Sequence, residues 1–440
     1  MTTTINNEHE KNQGRKVLNV PNKREQNQTC LDSAEREGLR PKGNVPILRF
    51  PEFRGEWEKM RLDGFTERVM RKNRNNLSKL PLTISAQYGL VDQVTFFNKV
   101  IASTDMSNYY LLKKGEFAYN KSYSSDYPWG AIKRLDRYDQ GALSSLYICF
   151  ALQDSVVSDY ILQYFESSKW HKGVSEIAVE GVRNHGLLNV SVQDFFHTYH
   201  FVPKEKEEQI KIGKFLALLD ERIATQSKVI EDLKKLKCAI SKYLIWSSGL
   251  LEEKIPISKV GSLKNGYAFQ SSSYDYAGNY AVVTIANVTG ERYISSTEYN
   301  HVIAKPNDIQ VHQELKVNDI LISLTGNVGR VSLCRSGKYL LNQRVGLLQL
   351  HSDVNREFVY QVLSSRHFEQ SMISCSQGAA QMNIGKGDIE NYMMPYSCKP
   401  QNLNIISSML KVYDARILVE YKMLQLFNRQ KAYLLASLFI

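Results

Sequence analysis

The stretch Leu219-Asp-Glu-Arg-Ile-Ala-Thr-Gln-Ser-Lys-Val-Ile-Glu-Asp-Leu-Lys-Lys-Leu-Lys-Cys-Ala-Ile-Ser-Lys-Tyr-Leu244 decides the architecture. Its apolar residues Leu219, Ile223, Ile230, Leu233, Ile240 and Leu244 are spaced by 4, 7, 3, 7 and 4, with Gln226 and Lys237 at two positions of the same seam. That spacing is the a/d repeat of a helix that pairs with another helix. From Glu205 to Ile245 there is no Pro and a single Gly, so the segment 205–249 reads as one continuous helix. Forty residues at 1.5 Å each make a rod of about 60 Å, too long to bury inside one small domain.

A second helix is expected over 398–440, where Ile405, Met409, Val412, Val419, Met423, Leu426 and Tyr433 step by 4, 3, 7, 4, 3 and 7. The two helices share more than length. Asp220-Glu-Arg222-Ile223 recurs as Asp414-Ala-Arg416-Ile417, and Asn189 and Asp194 recur as Asn383 and Asp388, all offset by 194. Pro203 and Gln209 recur as Pro395 and Gln401, offset by 192. The chain is therefore a two-fold tandem repeat. Its unit is far longer than a solenoid repeat. Antiparallel pairing of the helices would set the two globular blocks at opposite ends, related by a pseudo-two-fold axis.

Each helix follows a block of strand-like pieces and turn clusters. In 43–204 these include Gly115–Asn120, Tyr127–Ile132 and Leu146–Leu152, with a helical stretch at Asp159–Trp170. In 250–397 they include Tyr280–Ala286, Asp319–Leu324 and Val345–Leu350. The fold class is α/β (α+β). Met1–Lys42 is poor in large apolar residues and reads as a flexible polar tail.

Across 440 residues, 56 Lys+Arg against 45 Asp+Glu leave a net charge of +11, which points to a polyanionic partner. Hydrophobic content of 43% supplies real cores and excludes wholesale disorder. The six cysteines include no C-x-x-C pair, so reduced thiols are expected rather than a zinc finger or disulfide scaffold. No apolar run approaches the roughly 18–20 residues of a membrane span, and no signal peptide is visible, so the chain is expected in the cytoplasm.

Catalytic signatures are missing. Gly337-Lys338 lacks the upstream Gly of a phosphate loop, and Tyr339 stands where its hydroxyl residue belongs. Pro306-Asn-Asp308 with Glu314-Leu-Lys316 is too short for a nuclease carboxylate set and fits a solvated turn. The nine histidines have no metal-ligand spacing. The chain reads as a binder, and no metal or cofactor is expected in it. The alternatives are a nucleic-acid-processing enzyme with an unrecognised site and a basic coiled-coil scaffold.

DNA readers use Lys and Arg on phosphates and Asn, Gln or Arg on base edges. Three loops suit that task. The first runs from Asn120-Lys121-Ser122-Tyr123 to Gly130 and leads to Lys133-Arg134. The second is Gly266–Tyr274, with Tyr267, Gln270 and Ser272. The third is Thr325-Gly-Asn327-Val-Gly-Arg330, a glycine hairpin followed by Gln343 and Arg344. Two such readers on a stiff rod would take half-sites about one helical turn, roughly 34 Å, apart. The target would be split and not palindromic, because the two loop sets differ.

From Asn44 to its C-terminus the chain resembles the specificity subunit of type I restriction–modification enzymes. The resemblance rests on Asn44-Val-Pro-Ile-Leu-Arg-Phe-Pro-Glu-Phe-Arg-Gly-Glu-Trp57, Tyr127-Pro-Trp-Gly-Ala-Ile-Lys-Arg134, Asp319-Ile-Leu-Ile-Ser-Leu-Thr-Gly-Asn-Val-Gly-Arg330 and the helix entry Pro203…Gln209…Asp220. It implies a target recognition domain in each block, 43–204 and 250–397. It implies helices that bind subunits, with Asp220, Arg222, Ile223, Asp414, Arg416 and Ile417 at the interface. Faces such as Ile405, Met409 and Val412 are candidates for cover by those partners. Double-stranded DNA, two modification subunits and the restriction subunits are the implied partners. S-adenosylmethionine, ATP and Mg2+ would be used by those subunits. The chain departs from the family pattern in its long tail and in lacking a Gly-x-x-Gly hairpin in the first block.

Overall fold

The computed structural model describes residues 43–99, 102–103, 105–178, 186–295, 298–376 and 382–440; the expected tail lies outside them. The chain divides into two compact units, Met1–Ala217 with Lys431–Ile440, and Leu218–Gln430.

Each unit repeats one set of three sheets. In the first, an antiparallel sheet has the order Thr66–Arg68, Ile148–Leu152, Phe117–Asn120, Ala131–Arg134. In the second the same order is Gly261–Asn265, Val345–Leu350, Ile320–Ser323, Val331–Leu333. Another sheet places Pro81–Ser85 parallel to Gln140–Leu143, and its counterpart places Tyr280–Val283 parallel to Tyr339–Leu341. Finally, Glu58–Arg61 pairs with Tyr199–Val202, and Glu253–Pro256 pairs with Met393–Tyr396. This last pair ties the start of each block to the strand that feeds its long helix.

Helix α1 runs Lys206–Trp246 and helix α2 runs Pro400–Ser437. Pro400 opens α2, where a missing N–H is harmless and the fixed φ suits the first turn. Gly213, the single glycine of α1, lets the helix approach the backbone of Asp159 and Tyr160; a Cβ there would lie 2.9 Å from Tyr160 N. Gln209 clasps the same region, donating to Pro203 O at 2.9 Å and accepting from Val157 N at 2.7 Å.

Within the second unit the helices are antiparallel. Arg222 lies over the Phe427 ring, Gln226 donates to Glu420, and Lys237 donates to Asp414. Residues 226 and 420 differ by 194, the repeat offset, so equivalent positions of the repeat meet each other, as at a two-fold axis. The α1 seam is as expected: Leu219, Gln226, Ile230 and Leu244 are buried. The buried face of α2 carries Leu403, Ile406, Leu410, Asp414, Ile417, Glu420 and Leu434. Its other stripe faces outward, with Ile405 52% exposed, Val412 68%, Val419 50% and Leu426 61%.

The core of the first unit is aromatic: Phe117 stacks on Phe150 at 5.4 Å and Tyr119 on Phe195 at 4.7 Å. His200 sits against the rings of Phe65, Tyr164 and Phe165, 3% exposed, with Tyr164 Oη 2.9 Å from Nδ1 and Thr198 Oγ1 2.8 Å from Nε2. Burial pushes its pKa down to about 3. The unfolded chain, with a histidine pKa near 6.5, then binds the extra proton, so stability falls as pH drops below about 6.5. Denaturant titration of the full chain at pH 7 and pH 5 is expected to show a loss approaching 1.4 kcal/mol per pH unit from this group, absent in His200→Gln.

Candidate nucleic-acid interface

In the second unit three loops leave the same end of one sheet. The strands Gly261–Asn265, Val345–Leu350 and Ile320–Ser323 reach that end at Asn265, Val345 and Ser323, where Asn265 faces Gly346 and Ser323 faces Val345. Beyond them, Tyr267 N donates to Leu341 O and Gln343 N donates to Tyr267 O, at 2.8 and 2.9 Å. Leu324 N donates to Arg344 O at 3.0 Å. The backbone thus brings Tyr267, Gln343, Arg344 and the 324–330 hairpin into one cluster. Gln270 and Ser272 lie further along the Tyr267 loop, exposed.

The hairpin depends on its glycines, which have φ of +69° at Gly326 and +76° at Gly329. Ser323 Oγ sits inside the turn, accepting from Arg330 N at 3.0 Å. Asn327 at the tip is exposed, while Arg330 is half-buried with Nε 3.5 Å from Glu369. Gln343 and Arg344 are exposed. Tyr267 Oη is anchored on Asp308 at 2.9 Å, which orients the ring and pushes its pKa up.

The first unit builds the equivalent hairpin between Phe117–Asn120 and Ala131–Arg134. It has no Gly-x-x-Gly; Gly130, at φ +79°, closes the longer loop, and a Cβ there would meet Asn120 O at 2.1 Å. Asn120 Oδ1 caps Ser122 N at 3.0 Å, and Ser122 and Tyr123 are exposed while Asn120 and Lys121 are half-buried. Lys133 and Arg134 are not at this tip. Lys133 is 8% exposed and donates to Glu166 at 2.6 Å, and Arg134 bridges Asp136 and Asp159 at 2.6 and 2.8 Å. Both cations neutralise carboxylates of their own domain.

One component of each tip escaped sequence reasoning. Ser122 bridges Leu187, and Thr325 bridges Asn383. In each unit a segment that precedes a short helix therefore pairs with the hairpin tip and adds Leu187 or Met382 to the exposed surface, 46% and 41% exposed. The recurring Asn189 and Asn383 mark its neighbourhood, but nothing local ties it to a hairpin some 60 residues earlier.

The helix residues read as interface positions are placed unequally. Arg222 and Arg416 are exposed, and Asp220 and Ile223 half-buried. Asp414 and Ile417 are buried, 6% and 7% exposed, inside the second unit itself. Among the described residues, no group of three or more His, Cys, Asp or Glu is placed to hold a metal ion, and no helix is long and apolar enough to cross a membrane.

Residues 252–425 match the family described as the type I restriction modification DNA specificity domain. In fold the chain is similar to the S subunit of a type I restriction–modification system from M. genitalium, with a TM-score of 0.53 and 15% identity over 90% of this chain and 99% of that one. It is similar as well to a chain from structures of complex assembly and conformational transition in a type I R-M system, with a TM-score of 0.52 and 14% identity over 87% and 97%. No curated protein sequence matches the chain.

Proposed function

We propose that the chain is a DNA specificity subunit of a type I restriction–modification system, a reading supported by the match of residues 252–425 to the DNA specificity domain and by the fold it shares with an S subunit, and that it reads an asymmetric, two-part DNA target for partner subunits that do the chemistry. The observation that carries this reading is the doubled tip: one topology built twice, with Asn120, Lys121, Ser122 and Tyr123 at one hairpin, and at the other Asn327 with Tyr267, Gln343 and Arg344 on the loops beside it. Equal scaffolds with unequal side chains read unequal half-sites, because base edges are distinguished by donor and acceptor pattern.

Two modification subunits would dock on the long helices and methylate one adenine in each half-site with S-adenosylmethionine. Restriction subunits would add ATP- and Mg2+-dependent cleavage, all in the cytoplasm, while this chain binds no cofactor and performs no bond chemistry. The outward stripe of α2 supports docking there. Unpartnered apolar side chains at heptad spacing are what a further helix packs against.

Genome-wide mapping of methylated adenine with and without the gene tests the reading. Loss of one split, non-palindromic motif on deletion is expected, and an unchanged map counts against it. Residue roles separate by salt dependence on the target duplex. Arg344→Gln is expected to lower the slope of log K against log salt by about one, the signature of a lost phosphate contact. Lys133→Gln is expected to leave the slope unchanged, because Nζ is held by Glu166.

A further inference from the structure

Four segments of the second unit converge on one carboxylate. Asp414 Oδ1 accepts from Lys237 Nζ of α1 at 2.6 Å. Its Oδ2 accepts from Arg292 Nη1 at 2.9 Å and from Gln361 Nε2 at 2.7 Å. Arg292 in turn forks onto Glu357 at 2.8 and 2.6 Å, with Gln361 donating to the same Glu357 at 2.8 Å. The guanidinium lies over the Tyr360 ring, 5.1 Å from its centre. The side chains of Arg292 and Asp414 are 8% and 7% exposed. Two cations and two carboxylates balance, and they come from both long helices, the loop before Tyr293 and the helix Arg356–Leu363.

Buried ion pairs are poor sources of stability, since desolvation offsets most of the attraction; their directional demand selects one geometry. The neighbouring apolar contacts of α1 and α2 with the block, through Leu244, Leu403, Ile406 and Leu410, lack that demand. In the first unit a buried charge pair is Arg49–Glu208, at the first turn of α1.

We infer that the Lys237–Asp414–Arg292–Glu357 joint holds the second recognition block at a fixed angle on the helix pair, making Asp414 and Arg292 positioning residues for the second half-site. Their side chains are engaged in the joint, and they act through where those loops are presented. The inference rests on the two-part reading proposed above.

The test uses the full chain in its complex and duplexes carrying the mapped target with its own spacer or one base pair more or less. A one-pair change misplaces base contacts of about 1–3 kcal/mol each, so the unaltered protein is expected to prefer its own spacer by about tenfold or more. Asp414→Asn is expected to lose most of that preference while binding the first half-site alone as before. Asp414→Glu is expected to restore part of it. Leu410→Ala, a buried truncation one turn away on α2, is expected to lower thermal stability and keep the preference. Arg292→Lys, which keeps the charge and removes the fork, serves if Asp414→Asn does not fold, with the same expected loss. An undiminished spacer preference in these variants overturns the inference, as does an equal loss in Leu410→Ala. Absence of any preference in the unaltered protein overturns the two-part reading instead.

Discussion

Glu208→Ala is expected to destabilise the first unit by about 3–5 kcal/mol, the range for removing one partner of a buried ion pair. Glu208 is 1% exposed, and its carboxylate accepts from Arg49 Nε and Nη2, both at 2.7 Å, and from Trp57 Nε1 at 3.3 Å. The Arg49 side chain is 13% exposed and keeps only the carbonyls of Gly55 and Arg54 when the carboxylate is gone. This contact is where the opening segment Asn44–Trp57 meets the first turn of α1. Its loss frees that segment as well as leaving a charge unpaired. For a unit of this size the transition should fall by about 6–20 °C in a thermal melt. Replacing both partners, Arg49→Met with Glu208→Leu, is expected to recover most of the loss, because no buried charge then remains. A single-variant shift below about 2 °C would show that the pair is dispensable.

Val412→Glu together with Val419→Glu is expected to separate the chain from the modification subunits proposed to dock on α2. Both side chains are at least half exposed, seven residues apart on the outward stripe of α2, so the fold has little to lose. At an interface core, each buried carboxylate opposed to an apolar pocket costs about 2 kcal/mol or more, and the pair should weaken association by about 100- to 1000-fold. Co-purification of tagged chain with the modification subunit reads the loss. A melting temperature and a DNA salt slope within error of the unaltered chain show that the surface alone was changed. Retained co-purification would place the partners elsewhere on the chain.

Much of this was visible in residue order. Both long helices follow from heptad spacing and the absence of Pro, and both end within a few residues of the expected bounds. The strands Phe117–Asn120, Ile148–Leu152, Ile320–Ser323 and Val345–Leu350 lie inside the runs of β-branched, aromatic and leucine residues that suggested them. Tyr127–Ile132 was less faithful: the strand begins at Ala131, because Tyr127–Gly130 forms the turn that Gly130 closes. The repeat offset of 194 reappears as the meeting of Gln226 with Glu420.

Three features were not legible, for one reason. On α2 the conspicuous apolar stripe through Val412 and Val419 faces outward, while the buried face includes Asp414 and Glu420. Hydrophobicity alone cannot favour a face that carries Asp414, neutralised by Lys237 and Arg292 far along the chain, and Glu420, paired with Arg416 one turn away. Lys133 and Arg134 have the composition of phosphate contacts, yet Glu166 and Asp159 hold them within the domain. Arg292 is 122 residues from Asp414, and nothing in its neighbourhood announces the joint.

By itself, then, the sequence determined the elements and their duplication, because helix and strand periods and the repeat depend on residues a few positions apart or on order alone. Which stripe of α2 is buried, which cations are held within their own domain, and which carboxylate bonds to α1, Arg292 and Gln361 at once were decided only by tertiary structure. Those outcomes turn on whether a buried charge finds its partner, and Lys133 and Asp414 find charged partners 33 to 177 residues away.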